Sequence, residues 1–159
     1  MEDRHIKVLL IEDNPNDTEL IRRMLAKARR AAFDLECFDR LSTGLERFDK
    51  GDIDLILLEL GLPDSQGLDT FMRAYKQAPG APIIVLTGLD NETLALKAVH
   101  EGAQDYQLKG EVSSHLLERS MLYAIERNRV QEELRRYRDH LEGMVNERTA
   151  ELKQEIAEH

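Results

Sequence analysis

The chain has 159 residues, of which 42% are hydrophobic and 33% charged, and its formal net charge at pH 7 is −9. This length suits one domain of ordinary size with about thirty or forty residues to spare, and the acidic balance leaves no basic stripe for a phosphate backbone, so direct binding of nucleic acid is not expected. The single cysteine, Cys37, is expected to be a buried structural thiol, and the chain shows no signal peptide or membrane span, so we expect a cytoplasmic protein.

Strands and helices alternate over the first two thirds of the chain. Apolar runs predict strands at residues 6–12, 33–38, 54–60, 83–88 and 105–110. Apolar residues at helical spacing predict helices from about Pro15 to Arg29, over 42–51, from Leu68 to Gln77, and over 91–103 with Asn91 as its N-cap. The central strands are uniformly apolar, as in a parallel sheet that is covered on both faces. The pattern predicts an α/β fold with a doubly wound, five-stranded parallel sheet.

The last helix is predicted to run from Ser114 to the end of the sequence, a length of about 70 Å at ~1.5 Å per residue. Past residue 128 its apolar residues follow a heptad seam that contains one extra four-residue step, a stutter, between Leu141 and Val145. The seam consists of Val130, Leu134, Tyr137, Leu141, Val145, Leu152 and Ile156. A parallel homodimeric coiled coil is the favoured interpretation, and a solvated single helix or a disordered charged tail is the alternative.

Polar side chains stand where four of the predicted strands end. These residues are Glu12 and Asp13, Glu59, Thr87 and Lys109. In a doubly wound sheet they converge on one crevice, where clustered carboxylates require a cation. Carboxylates and water suit Mg²⁺, and a lysine with a hydroxyl suits the remaining oxygens of a phosphoryl group. The crevice therefore has the composition of a phosphoryl-transfer site.

The stretches LLIEDNPND, DLILLELGLPDSQG, IIVLTG and GAQDYQLKG resemble the receiver domain of two-component response regulators, over residues 5 to about 128. The resemblance implies a (βα)5 flavodoxin-like fold with strand order 2-1-3-4-5. It implies a receiver domain at 1–128, followed by a coiled-coil signalling helix at 129–159 that is continuous with the last receiver helix. It also implies a histidine kinase or phosphotransfer protein as partner of a form with Asp in place of Glu59, and no enzyme activity beyond the domain's own phosphorylation and dephosphorylation.

The same resemblance assigns metal ligands. Glu12 and Asp13 would hold Mg²⁺, together with Glu59 and the backbone carbonyl of Gly61. The alternative for Glu12 and Asp13 is that they only complement the dipole of the first helix, which accounts for one acid better than for two.

The resemblance also assigns the phosphate contacts. Thr87 and Lys109 would bind the phosphoryl oxygens, and Tyr106 would be the aromatic residue that moves inward with the threonine on activation. The alternatives are an ordinary hydroxyl at a strand end for Thr87 and plain core packing for Tyr106.

Two residues depart from the family pattern: the acceptor position holds Glu59 instead of Asp, and Gly110 follows Lys109 where Pro is common. The extra methylene moves the carboxylate by about 1.5 Å, and a misplacement of ~1 Å can reduce the rate of in-line transfer about a hundredfold. Glu59 is therefore expected to be phosphorylated poorly or not at all. It could instead reach toward Lys109 and Thr87 and mimic the phosphorylated state, or lock the switch off. Whether the acceptor was engineered or recently lost, or belongs to a natural pseudo-receiver that acts as a dimerisation scaffold, stays open.

The stretch YRDHLEGMVNERTAEL is similar to the helical linkers that precede modules of bacterial histidine kinases, so state changes in the crevice are expected to reach the coiled coil. Two rival functions are disfavoured. The first is that His115 or His140 is a phosphodonor, but the chain has neither the Pro-containing stretch nor the nucleotide-binding segment of a kinase. A haloacid dehalogenase type of hydrolase would need Asp-x-Asp where this chain has residues 12–14 as Glu-Asp-Asn.

Overall fold

The computed structural model of the protein describes residues 5–158, so the expectations for residues 1–4 and for residue 159 lie outside it. The strands of the main sheet are β1 (His5–Ile11), β2 (Ala32–Phe38), β3 (Leu55–Glu59), β4 (Ile83–Thr87) and β5 (Asp105–Leu108). The helices are α1 (Pro15–Ala26), α2 (Leu41–Asp49), α3 (Leu68–Gln77), α4 (Glu92–Glu101) and α5 (Ser114–Glu158).

The five strands form one parallel sheet in the order β2-β1-β3-β4-β5. This order confirms the predicted flavodoxin-like fold. The register pairs Ile11 with Leu58, Glu59 with Leu86, and Thr87 with Leu108. The carboxyl ends of β1, β3, β4 and β5 therefore lie along one edge of the sheet, where the polar residues follow.

Alternate residues of the central strands enter two separate cores. Ile56 and Leu58 of β3 belong to the core that also contains buried residues of α2, α3 and α4. Leu55 and Leu57 belong to the opposite core, with buried residues of α1 and α5. Because both faces of the sheet are covered, the central strands are apolar throughout, as the sequence indicates.

Helix α1 begins as predicted and ends earlier than predicted. The side chain of Asn14 accepts hydrogen bonds from the N–H groups of Asn16 and Asp17, and Pro15 is the first helical residue. The helix ends at Ala26 instead of Arg29. The N–H of Arg30 donates to the Glu118 carboxylate of α5 at 2.9 Å, which draws the chain away from the helical path.

Three further details differ from the sequence-based expectation. Residues 61–66 form a small antiparallel hairpin, Gly61–Leu62 with Ser65–Gln66, directly after β3. Asn91 ends a 3₁₀ turn (Leu89–Asn91) and its side chain does not cap α4. Cys37 is half-buried beside the Arg22 guanidinium, at 3.5 Å, so the expectation of a fully buried thiol was wrong.

Helix α5 leaves the sheet after a set of polar contacts. Ser120 donates to Asp105 at 2.6 Å, Arg127 donates to the Gln104 carbonyl at 3.0 Å, and Asn128 donates to the Gly80 carbonyl at 2.8 Å. From residue 133 to residue 158 every side chain is exposed. Within residues 5–158, no helix combines the length and the apolar content that crossing a bilayer requires.

Candidate functional site

Four strands deliver polar residues to the carboxyl edge of the sheet. Glu12 follows β1, Glu59 ends β3, Thr87 ends β4 and Lys109 follows β5. Sheet hydrogen bonds continue into the site: the N–H of Glu12 donates to the Phe38 carbonyl at 2.9 Å, and the N–H of Lys109 donates to the Thr87 carbonyl at 2.9 Å. The backbone of the site is thus as well fixed as the sheet itself.

The ammonium group of Lys109 is the centre of the site. Its Nζ lies 2.6 Å from Oε2 of Glu12, 2.8 Å from Oε2 of Glu59 and 3.0 Å from Oδ2 of Asp17. Sequence reasoning placed three of these residues in one crevice and missed Asp17, which lies in the first turn of α1. One feature of the sequence could have indicated this contact: a helix that begins at the crevice places an acidic residue of its first turn beside the crevice.

The other carboxylate oxygens of the site bind backbone amides. Oε1 of Glu12 accepts from the N–H of Asn14 at 3.1 Å, and Oε1 of Glu59 accepts from the N–H of Gly61 at 3.2 Å. Each acid is therefore held by an N–H group on one oxygen and by Lys109 on the other. Both side chains are buried, which makes the loss of either partner costly.

One positive charge contacts three carboxylates, and burial together with these contacts shifts the pKa values of the site. Burial raises the pKa of Glu12 to about 6, against the opposing effects of Lys109 and of the Asn14 N–H. Burial works against the ammonium form of Lys109, but Glu12, Glu59 and Asp17 outweigh it and raise the pKa of Lys109 above its usual range. The lysine is thus fully charged at neutral pH.

The side chains of the two remaining predicted switch residues take no part in the ion pairs and hydrogen bonds of this cluster. The Thr87 hydroxyl is buried and makes no hydrogen bond within the described part of the chain. Tyr106 is half-buried and its hydroxyl donates to Oε2 of Glu92, at the start of α4, over 3.3 Å. Burial, together with the Glu92 carboxylate, raises the pKa of Tyr106. Glu59 therefore contacts Lys109 but makes no hydrogen bond to Thr87.

The predicted metal ligands have the right chemistry and a different arrangement. Asp13 is exposed, whereas Glu12 and Glu59 face Lys109. Across residues 5–158, no three side chains of His, Cys, Asp or Glu are grouped so that they would hold a metal ion. The donors are all oxygens and so fit Mg²⁺, but Glu12 and Glu59 would have to exchange Lys109 for the metal.

Side-chain hydrogen bonds of Asp64 and Thr70 hold the hairpin that follows Glu59. Oδ1 and Oδ2 of Asp64 accept from the N–H groups of Leu41 and Ser42, at 2.8 and 2.9 Å, and so cap α2 from outside the helix. The Thr70 hydroxyl donates to the Leu60 carbonyl at 2.9 Å. This role of Asp64 was not predictable from the sequence, because the cap joins segments that are distant in the chain.

A doubly wound flavodoxin-like sheet with acids, a threonine and a lysine along its carboxyl edge defines a small class of α/β signalling modules. Residues 8–120 match the sequence profile of the response regulator receiver domain, and the chain belongs to that family. Members of the family act in two-component signalling with histidine kinases or phosphotransfer proteins, generally depend on Mg²⁺, and are generally not enzymes.

Individual relatives agree with the family assignment. The chain is 34% identical over 113 residues to the KDP operon transcriptional regulatory protein KdpE of Escherichia coli, covering 69% of this chain and 48% of KdpE. It is 33% identical over 104 residues to the cell cycle transcriptional regulator CtrA of Caulobacter vibrioides, covering 65% of this chain and 44% of CtrA. The chain thus spans about half the length of the curated relatives it matches.

Solved structures show the same architecture. A response regulator receiver domain protein from Clostridium thermocellum superposes with a TM-score of 0.69 at 25% identity, over 79% of this chain and 98% of that one.

Proposed function

We propose that this chain is a receiver module in which Glu59 stands at the phosphoacceptor position and keeps the domain in its unphosphorylated arrangement. The observation that carries the proposal is the contact of 2.8 Å between Lys109 Nζ and Oε2 of Glu59. The lysine that would bind a transferred phosphoryl group is already neutralised by the residue that would receive it.

Both oxygens of Glu59 are occupied, which argues against nucleophilic attack. Oε2 pairs with Lys109 and Oε1 accepts from the Gly61 N–H. The extra methylene of Glu also displaces the carboxylate by about 1.5 Å from the place of an Asp carboxylate, and in-line transfer loses about a hundredfold in rate per ~1 Å. Phosphorylation of Glu59 is therefore expected to be negligible.

The surroundings of Thr87 support a locked switch over a mimic of the phosphorylated state. A mimic would have to engage the Thr87 hydroxyl as phosphoryl oxygens do, yet this buried hydroxyl has no partner within residues 5–158. The Tyr106 hydroxyl is held by Glu92 at the start of α4. A phosphoryl group would contact both Lys109 and Thr87, and Glu59 supplies only the contact with Lys109.

Mg²⁺ is the cofactor we assign to the site. Glu12, Asp13, Glu59 and the Gly61 carbonyl would hold it, and when bound it would neutralise charge on an incoming acyl phosphate. Release of Glu12 and Glu59 from Lys109 would leave the lysine free for a phosphoryl oxygen.

The output that we assign to the chain is a dimeric coiled coil formed by α5. The seven predicted seam residues, from Val130 to Ile156, are all exposed in the single chain, between 42% and 75%. A row of exposed apolar side chains on a solvated helix is stabilised by a partner helix. This observation also favours the second candidate function, a pseudo-receiver that serves as a dimerisation scaffold without phosphoryl chemistry.

Incubation with acetyl phosphate and Mg²⁺, followed by intact mass measurement, tests the proposal. The native protein is expected to gain no mass, whereas Glu59→Asp gains one phosphoryl group and Glu59→Gln, a control of equal length, gains none. Stoichiometric labelling of the native protein would refute the locked switch. Failure of Glu59→Asp to label would favour the scaffold.

A further inference from the structure

Asp17 differs in origin and exposure from the other two acids that contact Lys109. Glu12 follows a strand and Glu59 ends one, and their side chains are only 1% and 10% exposed. Asp17 comes from the first turn of α1, and its side chain is 27% exposed. Its Oδ2 lies 3.0 Å from the ammonium nitrogen of Lys109. The lysine therefore has two strand-derived partners that are buried and one helix-derived partner that is nearer to solvent.

The start of α1 holds Asp17 at this position. The Asn14 side chain caps the helix and accepts a hydrogen bond from the N–H of Asp17 at 3.4 Å. Farther along the helix, Ile21 and Leu25 are buried in one of the two cores. The first turn of α1 cannot move away from Lys109 without loss of its cap or of this packing.

The backbone of Lys109 is held independently of all three carboxylates. Its N–H donates to the Thr87 carbonyl at 2.9 Å and so continues the pairing of β4 with β5. Val112, three residues later, is buried in the same core as Ile21. Since the sheet and one shared core fix both backbones, the contact between Asp17 and Lys109 does not require Glu12 or Glu59.

This independence matters because Lys109 and Mg²⁺ would share the two buried acids. Glu12 and Glu59 are assigned to the metal, and both are paired with Lys109 in the structure. The lysine side chain is only 16% exposed, and an ammonium without an anionic partner is strongly disfavoured in such a place. Asp17 is not among the residues assigned to the metal, so it can stay with the lysine.

We propose that Asp17 is a positioning residue that keeps Lys109 paired while Glu12 and Glu59 turn from the lysine toward Mg²⁺. The inference rests on the proposed function and assigns the residue that makes the exchange of partners in its site favourable. An ammonium group has three N–H donors, so a bond to Asp17 leaves the others for phosphoryl oxygens. Asp17 thus promotes metal binding without coordinating the metal.

Two other roles of Asp17 predict different behaviour. An acid that only complements the dipole of α1 would stabilise the helix and leave metal affinity unchanged. An acid that attracts the metal through space would act whether or not Lys109 is present. Asp39 provides the matched control, because this exposed acid lines a surface depression together with Glu12 and Asp13 and makes no ion pair with Lys109.

Calorimetric titration of the full chain with Mg²⁺ tests the proposal. Asp17→Asn is expected to weaken the affinity about fivefold or more, because Lys109 then loses its last carboxylate when the metal binds. Asp17→Glu keeps a carboxylate on the same helix and should restore most of the affinity. Asp39→Asn should change it about twofold or less, because exposed charges interact weakly through water. Equal affinities of the native protein and Asp17→Asn would overturn the inference.

A double-mutant cycle with Lys109→Met shows whether Asp17 acts through the lysine. In the Lys109→Met background, Asp17→Asn should leave the Mg²⁺ affinity unchanged, because there is no ammonium group to hold. An equal loss of affinity in both backgrounds would show that Asp17 acts on the metal directly and would contradict the positioning role. Circular dichroism establishes that each variant is folded before titration.

A second measurement needs no Lys109 variant. The side-chain ammonium signal of Lys109 is followed by ¹⁵N NMR at saturating Mg²⁺, because an ammonium group held by a carboxylate exchanges its protons more slowly than a free one. The signal is expected to persist in the native protein and to disappear in Asp17→Asn. Its persistence in Asp17→Asn would overturn the inference.

The outcomes separate this inference from the proposed function. Native protein that binds Mg²⁺ with the same affinity as Asp17→Asn overturns the role of Asp17 and leaves the metal assignment intact. Native protein that binds no Mg²⁺ overturns both. The mass measurement with acetyl phosphate tests the locked acceptor Glu59 separately.

Discussion

Lys109 and Glu59 form an ion pair of 2.8 Å at the carboxyl edge of the sheet, in a site where the Glu59 side chain is only 10% exposed. The same ammonium also binds Glu12 and Asp17. A lysine that forms ion pairs with three carboxylates is a structural element of the domain, and its removal affects stability as well as chemistry.

Lys109→Met is expected to lower the free energy of unfolding by about 3 kcal/mol or more, because Met retains the length of the side chain but leaves Glu12 and Glu59 buried without their cation. Urea denaturation at pH 7 measures the change. Lys7→Met is the matched control, since it breaks an ion pair of 2.7 Å with Asp52 that is solvent-exposed. Its cost should be several times smaller than that of Lys109→Met, because exposed ion pairs contribute little to stability. Equal costs for the two variants would show that the Lys109 cluster is not coupled to folding.

Mg²⁺ binding is expected to depend on Asp13, the exposed acid beside the cluster. Asp13→Ala should weaken the Mg²⁺ affinity measured by calorimetry at least tenfold, because a carboxylate ligand is worth more than ~1.4 kcal/mol. Asp69→Ala, which removes an exposed acid from the first turn of α3, is the control and should bind like the native protein. Identical titrations of the native protein and Asp13→Ala would refute the metal assignment.

Asp64 is expected to stabilise the fold in a pH-dependent manner. Burial works against its charged form, but hydrogen bonds from the Ser42 and Leu41 N–H groups outweigh it and hold the pKa below the ordinary value of 3.8. A lowered carboxyl pKa stabilises the fold above the ordinary pKa, and this contribution disappears as the pH falls through the lowered value. Asp64→Ala should cost about 1 kcal/mol at pH 7. A carboxyl pKa above 3.8 in an NMR titration would contradict this account.

Two glycines of different surroundings give a paired prediction. Gly102 has φ of +134° and a Cβ there would lie 2.5 Å from the Tyr75 ring, so Gly102→Ala should destabilise the domain by more than about 1 kcal/mol. Gly143 lies on the exposed part of α5 with open space around it, and Gly143→Ala should raise helix stability by about 1 kcal/mol. Thermal unfolding followed by circular dichroism checks both signs. A neutral Gly102→Ala would contradict the described packing.

Regular features of the fold were predictable from local pattern. The apolar run of β3 required burial on both faces, and the carboxyl ends of parallel strands share one edge. Glu12, Glu59 and Lys109 could therefore be brought together before the structure was known. Tyr106 and Thr87 were also assigned to this edge, but the contact of Tyr106 with Glu92 depends on a side-chain orientation that spacing does not determine.

Features that depend on contacts between distant segments were not predictable. Asp17 joins the Lys109 cluster from α1, 92 residues away in sequence. Asp64 caps a helix that begins 23 residues earlier.

Amide NMR spectra of Thr87 and Tyr106 can show whether Glu59 holds the receiver in its unphosphorylated arrangement. Three samples are compared: the native protein, Glu59→Asp, and Glu59→Asp with Mg²⁺ and beryllium trifluoride, an analogue of the phosphoryl group. In the native protein, the amide signals of Thr87 and Tyr106 are expected at the chemical shifts of untreated Glu59→Asp. They should differ from the chemical shifts of the analogue-bound form. Coincidence of the native signals with the analogue-bound form would contradict the locked switch and establish a phosphoryl mimic.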